Sequence, residues 1–299
     1  MKKLSSVSYS RLFFKHLWRF LTSVATPREL AGNHAVAVSG GLDSMALLSV
    51  AERLHREGKI GPVRALFVDH RTRSGQRADG DLVRRFCAAR GIPFTELVAG
   101  DLLATDANFE ARARRERRRL CLGALAPAEL LWVGHHLDDS YEWSFMQRHR
   151  STDPRAALGI PVRNRRVLRP FLCVTRAQIT RLGRTEDLPY REDPTNADRR
   201  FDRNYVRHEV LPAVRARYPR FLKCYAHAAN AAAALLGVAF RAPRGSDEVY
   251  AFADGAALCG RRFSAAQVRE LLHRYSRAGR GELGVAIERM LRAIENHKK

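Results

Sequence analysis

Between residues 34 and 134 the chain alternates two hydrophobic rhythms. Short apolar runs predict buried strands, and stretches with apolar residues every three to four positions predict helices. Ala35-Val36-Ala37-Val38 reads as a first strand, followed by a helix from Ser44 to about Glu57 that ends at Gly58. Val63 to Val68 is a second strand and delivers Asp69-His70 at its C-terminal end. A helix over Arg77 to Arg90 stops at Gly91-Ile92-Pro93, and Phe94 to Val98 forms a third strand. Asn108 to Leu122 reads as a strongly basic helix, and Leu130 to Gly134 as a fourth strand. Repeated strand-helix units predict an α/β fold with a doubly wound, mostly parallel sheet. Ligands of such sheets bind at the C-terminal ends of the strands. Outside this region, Leu12 to Leu21 has the pattern of an amphipathic helix packing beside the first strand. Helical spacing returns at Ala226 to Leu236, Ser264 to Tyr275 and Val285 to Ile294, with Pro243, Gly245 and Ser246 as a connection.

Three segments carry chemistry, and all three fall at predicted strand ends. Ser39-Gly40-Gly41-Leu42-Asp43-Ser44 is a tight loop from strand into helix, with Asp43 or Ser44 placed to cap the helix. Bare amides at a helix N-terminus favour an anion, above all phosphate. The spacing fits neither a Walker loop nor the three-glycine dinucleotide fingerprint, and an ordinary glycine turn is the plain alternative. His135-His136-Leu137-Asp138-Asp139-Ser140-Tyr141-Glu142 gathers two imidazoles and three carboxylates, with Asp138 and Glu142 on one helical face. Three readings fit it: Mg²⁺ held opposite a nucleotide, a transition-metal site, or acids capping a helix.

Charge narrows the partners. A formal charge of +22 on 299 residues, with a pI near 10.8, implies a polyanion such as nucleic acid or an anionic membrane face. Arginines gather at Arg112 to Arg119, Arg163 to Arg169 and Arg199 to Arg207, which favours nucleic acid. Cys87, Cys121, Cys173, Cys224 and Cys259 form no C-x-x-C pair, as expected of free thiols in a reducing cytoplasm rather than of a zinc or iron–sulfur site. No apolar run reaches the length of a membrane span, so stable membrane association is not expected. The first residues are basic with no acid before Glu29, so a mitochondrial-type presequence or a membrane-surface helix also fits them.

The loop Ser39 to Ser44 resembles the SGGxDS pyrophosphate loop of the N-type ATP pyrophosphatases of the PP-loop superfamily. Further motifs follow in order: Val68-Asp69-His70, Asn108-Phe109-Glu110 with Ala113-Arg114 and Arg117, and Gly134 to Asp139 with Glu142. Arg169-Pro170-Phe171-Leu172 with Arg176 comes next, and then the block from Glu192 to Arg207. Over about residues 33 to 215 this series resembles the tRNA(Ile)-lysidine synthetases, and the last block discriminates best.

The resemblance implies an adenine nucleotide α-hydrolase-like catalytic domain over 31–215, between an N-terminal helical extension, 1–30, and a helical tRNA-docking region, 216–299. It implies a ligase that uses ATP and Mg²⁺ to adenylate O2 of the wobble cytidine in a CAU-anticodon isoleucine tRNA, before the ε-amine of L-lysine displaces AMP. Ser39, Gly40, Gly41, Leu42, Asp43 and Ser44 would then bind ATP, and Asp43 and Asp138 the metal. Asp43, His70, Arg114, His135, Asp138, Asp139 and Glu142 would carry the chemistry. In that scheme Asp139 and Glu142 fix the α-ammonium of lysine, while His135 or His136 takes a proton from its ε-amine. Arg117, Arg203, Asn204 and Arg207 would contact tRNA. A homodimer is compatible with all of this. Ser140 and Trp143 depart from the family's glutamine and threonine, Thr72 stands where its pattern has a leucine, and Arg118 where it has an aromatic residue. Alternative functions are a divergent enzyme using another amine or tRNA, a tRNA thiolase, and a non-catalytic RNA-binding protein.

Overall fold

The computed structural model describes residues 6–70, 75–100, 109–192, 202–236 and 248–249. The helices expected at Ser264 to Tyr275 and Val285 to Ile294, and most of the Glu192 to Arg207 block, lie outside these residues.

Helix α1 (Ser6–Val24) and the short α2 (Pro27–Leu30) precede strand β1 (His34–Val38) and helix α3 (Leu42–Arg56). Then come β2 (Val63–Asp69), α4 (Gly75–Ala88), β3 (Phe94–Val98), α5 (Phe109–Gly123), β4 (Leu130–Trp132) and α6 (Leu137–Arg148). A hairpin of β5 (Arg163–Asn164) and β6 (Val167–Leu168) leads to α7 (Arg176–Thr185). Past the undescribed block lie α8 (Asp202–Tyr205), α9 (Leu211–Arg217), α10 (Phe221–Leu235) and β7 (Glu248–Val249).

The sheet runs β3-β2-β1-β4-β6-β5-β7. Strands β3, β2, β1, β4 and β6 are parallel, whereas β5 pairs antiparallel with β6 and β7. The chain winds outward from β1 to β3 and then returns to the other flank of β1 as β4. The carboxyl ends of β1 and β4 therefore border the switch point, where such folds open a ligand crevice.

Alternation along the strands divides the core. Val36, Val38, Ala65, Phe67 and Trp132 face one layer with Leu17 and Leu21 of α1, Leu47 of α3 and Leu182 of α7. Ala35, Leu66, Val68 and Leu131 face the other layer, beside Cys121 of α5. Helix α1 packs on α7 and the 170–173 turn, rather than beside the first strand as the sequence suggested. A cluster of Leu137, Leu158, Val206, Leu211, Phe221 and Tyr225 joins α6 to α9 and α10. The Tyr225 hydroxyl donates to the carbonyls of Ser140 and Leu158 at 3.0 Å. Gly159 turns with φ of 89°, and a Cβ there would lie 2.0 Å from that hydroxyl. Ser140, where the family pattern has a larger amide, is thus fitted to this close approach.

Candidate active site

The loop after β1 takes the form its glycines permit. Gly40 has φ of 82° and Gly41 is the N-cap of α3, so neither Asp43 nor Ser44 caps the helix as the sequence suggested. Instead the Ser44 hydroxyl donates back to the Gly41 carbonyl at 2.9 Å and accepts from the Ser39 N–H at 3.1 Å. The first-turn amides of α3 are left to face an anion. Two residues that the sequence did not single out brace this loop. The Gly40 carbonyl accepts from the Arg191 N–H at 3.0 Å, and Arg191 Nε donates to Asp79 of α4 at 2.9 Å. A Cβ on Gly40 would stand 3.1 Å from the Asp79 Cβ. Gly40→Ala is therefore expected to cost about 1–2 kcal/mol from backbone conformation alone. A thermal melt, together with loss of the ATP-induced rise in Tm, checks it. Leu42 packs under Gly183 of α7, and its side chain serves the core rather than a ligand.

Asp43 and the segment after β4 meet across the switch point. Gly134 allows it, because a Cβ there would be 3.1 Å from the Asp43 carbonyl. His136 Nε2 lies 3.7 Å from Asp43 Oδ2, and Arg176 Nη1 of α7 lies 3.6 Å from the same oxygen. Asp43 Oδ1 is buried without a hydrogen-bond partner. Burial pushes the Asp43 carboxyl above the usual range, against the pull of His136 and Arg176. His136 caps α6: its Nδ1 accepts the Asp139 N–H at 3.3 Å, and the Asp139 carboxylate accepts the His136 N–H at 3.0 Å. With Nδ1 accepting, the ring proton sits on Nε2, and this nitrogen has no lone pair for a base.

His135 differs. Its Nδ1 is buried without a hydrogen-bond partner, and burial together with Arg169 holds the imidazole well below its usual pKa, with Arg203 and Arg114 adding to the effect. It is neutral at pH 7. His70, at the end of β2, is shifted the same way by burial and by Arg117. Arg114 and Arg117 of α5 thus reach the strand ends.

The three acids of α6 are each tied to arginines. Asp138 accepts from Arg215 Nη2 and from the Arg176 N–H, both at 2.8 Å. Asp139 accepts from Arg203 at 2.5 Å and from Arg207 at 2.9 Å. Glu142 accepts from Arg203 Nε at 3.0 Å and from Arg207 Nε at 2.8 Å. Burial works against the Asp139 charge, yet His136, whose Nε2 lies 3.5 Å from it, and the Arg203 and Arg207 guanidinium groups hold its carboxyl far below the usual range. The sequence suggested Arg203, Asn204 and Arg207 as tRNA contacts. The structure turns both arginine forks inward and buries Asn204, so of the four proposed RNA contacts Arg117 alone keeps an exposed side chain. A π-helical turn, Val206–Val210, carries Arg207; Pro212 follows it and has no N–H to donate. Spacing alone does not reveal this cage, because its partners are 61 to 77 residues apart.

Asp43 offers a buried oxygen with no partner, which suits a hard cation arriving with a nucleotide. Each Asp138 oxygen accepts one hydrogen bond, from Arg215 and from the Arg176 N–H, which leaves each a lone pair for the metal that the sequence suggested.

Residues 15–214 match the model of the PP-loop domain. The chain belongs to the PP-loop family of ATP-binding domains. It is similar to a tRNA(Ile)-lysidine synthase of Pseudomonas aeruginosa, with 32% identity over 242 residues, covering 77% of this chain and 54% of that protein. A tRNA(Ile)-lysidine synthase of Coxiella burnetii is also 32% identical, over 74% of this chain and 52% of its own length. The chain spans about half the length of these curated relatives. Among solved structures, a U34-tRNA thiolase of Methanococcus maripaludis, determined with its 4Fe–4S cluster, shares the fold. Its TM-score is 0.60 at 16% identity, over 76% of this chain and 80% of that one. Among the described residues no helix is long and apolar enough to cross a membrane.

Proposed function

We propose that this PP-loop protein is a tRNA-modifying ligase that makes lysidine at wobble cytidine 34 of a CAU-anticodon isoleucine tRNA. The observation that carries this reading is the similarity of 77% of the chain to a protein named tRNA(Ile)-lysidine synthase. Cytosine O2 attacks the α-phosphorus of ATP, and the bond to pyrophosphate breaks. The ε-amine of lysine then attacks C2, and AMP leaves with the former O2.

The amides of Gly40 to Ser44 receive the leaving pyrophosphate at the α3 N-terminus. Asp43 would hold Mg²⁺, which would supply charge neutralisation for the triphosphate. His135, kept neutral by its surroundings, presents an unprotonated imidazole to the amine, with Arg114 near it, while His70 stands at the end of β2. Asp139 and Glu142 receive the α-ammonium of lysine in exchange for the Arg203 fork. Arg203 is the partner that yields, being 32% exposed against 17% for Arg207. Thiolation draws no support from the three buried cysteines among the described residues. Burial raises the thiols of Cys87 and Cys121 to about 11 and pushes Cys173 higher, which opposes thiolate formation.

The test is mass spectrometry of the wobble nucleoside after incubation of the protein with ATP, Mg²⁺, lysine and a CAU-anticodon isoleucine tRNA transcript. A lysine adduct that requires ATP is expected. Adenylated cytidine that lysine fails to resolve would overturn lysine as the amine, and unmodified RNA would overturn the ligase reading for this tRNA.

A further inference from the structure

Helix α5 carries more positive charge than its place in the fold explains. Its sequence FEARARRERRRLCLG holds six arginines against two glutamates. Its inner side meets the sheet through Cys121, with Leu120 and Leu122 alongside. At helical spacing, Arg112, Arg115 and Arg119 fall in one row on the opposite side, with Arg118 flanking them, and all four are exposed. Like charges three and four residues apart disfavour the helix by a few tenths of a kcal/mol per pair. Glu116 offsets only part of this, through its pairing with Arg119 at 2.6 Å on the surface.

The same helix also turns positive charge toward the active site from its opposite, sheet-facing side. Arg114 and Arg117, on the same helix, lie close enough to His135 and His70 to hold down their pKa values. The charge therefore spans α5 from its outer surface to the ends of β2 and β4. We infer that the outward arginine row of α5 is the landing surface for the sugar–phosphate backbone of the RNA substrate, leading the strand into the catalytic opening. This rests on the proposed function for the identity of the RNA. Charge complementarity selects a polyanion, and continuity with the site selects the strand that is to be modified. A membrane-surface helix would present apolar side chains outward, whereas Leu120, Cys121 and Leu122 of α5 pack with the sheet.

The experiment measures the affinity of a fluorescent CAU-anticodon stem-loop hairpin for the whole protein across about 50 to 400 mM salt. Arg115→Gln/Arg118→Gln is expected to reduce the slope of log K against log salt by about 1.5, and the affinity roughly 10- to 30-fold at about 0.1 M salt. Arg11→Gln/Lys15→Gln, which removes an exposed basic pair from α1, is expected to leave the slope unchanged. The ATP-induced rise in Tm should be the same in both variants, which checks the fold and the nucleotide site. An unchanged slope in the α5 variant, or an equal loss in the α1 variant, overturns the inference. A loss confined to binding of phosphatidylserine vesicles, with RNA affinity intact, overturns it in favour of a membrane surface. Lysine incorporation is read separately. A reduced slope without any lysine adduct in the wild type supports the landing surface while removing the lysidine reading.

Discussion

Asp43→Asn is expected to lower ATP-dependent modification by at least about 100-fold while raising Tm. The loss follows from its place. Asp43 lies in the first turn of α3, between the loop amides and His136, and its Oδ1 is buried with no hydrogen-bond partner. Removing one preorganised group that stabilises developing charge typically costs about 10²–10³ in rate, and in the proposed mechanism this group would also hold the cation. The gain in stability has the same origin. Burial raises the Asp43 carboxyl above its usual value, so the folded chain favours the protonated form. At pH 8 the carboxylate is a cost to folding that a neutral amide of the same shape avoids, and the gain fades as the pH falls and Asp43 takes up its proton. Melting at pH 8 without nucleotide or Mg²⁺, beside a single-turnover assay of cytidine adenylation, checks both. Equal activity in the two proteins would remove Asp43 from the chemistry. A lower Tm would show that its charge supports the fold. RNA affinity should stay within about two-fold, since the α5 row is untouched and phosphate contacts dominate such binding.

The parallel frame was legible because its signals are local. The alternation of Val36 and Val38, the glycine loop and the following helical spacing each report on a single element, and the structure assembles them at the expected strand ends. The antiparallel edge was not legible. Strands β5 and β6 hold two residues each, too few for any periodicity to register. Helix boundaries moved for a related reason: α3 begins at Leu42 because Gly41 supplies the extended cap conformation, while Ser44 spends its hydroxyl inside the loop.

The site was legible as a set of acids and bases, but their pairing was not. Asp139 and Glu142 stand three apart on α6, and Arg203 and Arg207 four apart in a later block. Each pair looks like a solvent-facing or ligand-facing feature when taken alone. Only the fold shows that one pair neutralises the other. Asp79 and Arg191, which brace the phosphate loop, come from separate elements 112 residues apart and carry no motif of their own. The departure at Ser140 belongs to the packing of Tyr225, and Tyr141 likewise stacks against Phe221 and Tyr225. Trp143, by contrast, is 40% exposed on α6, one helical turn from Asp139, and nothing in the structure explains the indole there.

Glu142→Ala is expected to destabilise the protein by about 3 kcal/mol, because it leaves two partly buried guanidinium groups short of a counter-charge instead of deleting a surface charge. Glu142 is 1% exposed and accepts hydrogen bonds from Arg203 Nε, Arg207 Nε and Arg207 Nη2. Without it, Asp139 alone must balance both arginines. In a domain of this size that is a fall in Tm of roughly 10 °C. Glu142→Gln keeps an acceptor and is expected to lose less. The decisive variant is Glu142→Gln/Arg207→Gln, which removes one charge of each sign from the cage. If the pair is the source of the loss, the double variant melts above the sum of its single variants, with a coupling of about 1–3 kcal/mol. Lysine kinetics separate structure from binding. A cage that opens to admit lysine predicts that Glu142→Gln raises the KM for lysine while leaving ATP affinity unchanged, because the α3 loop makes no contact with Glu142. A small change in Tm with additive variants would mean that Arg203 and Arg207 rest on the acids without depending on them. Asp139 and Glu142 would then be a pocket held ready for its cation.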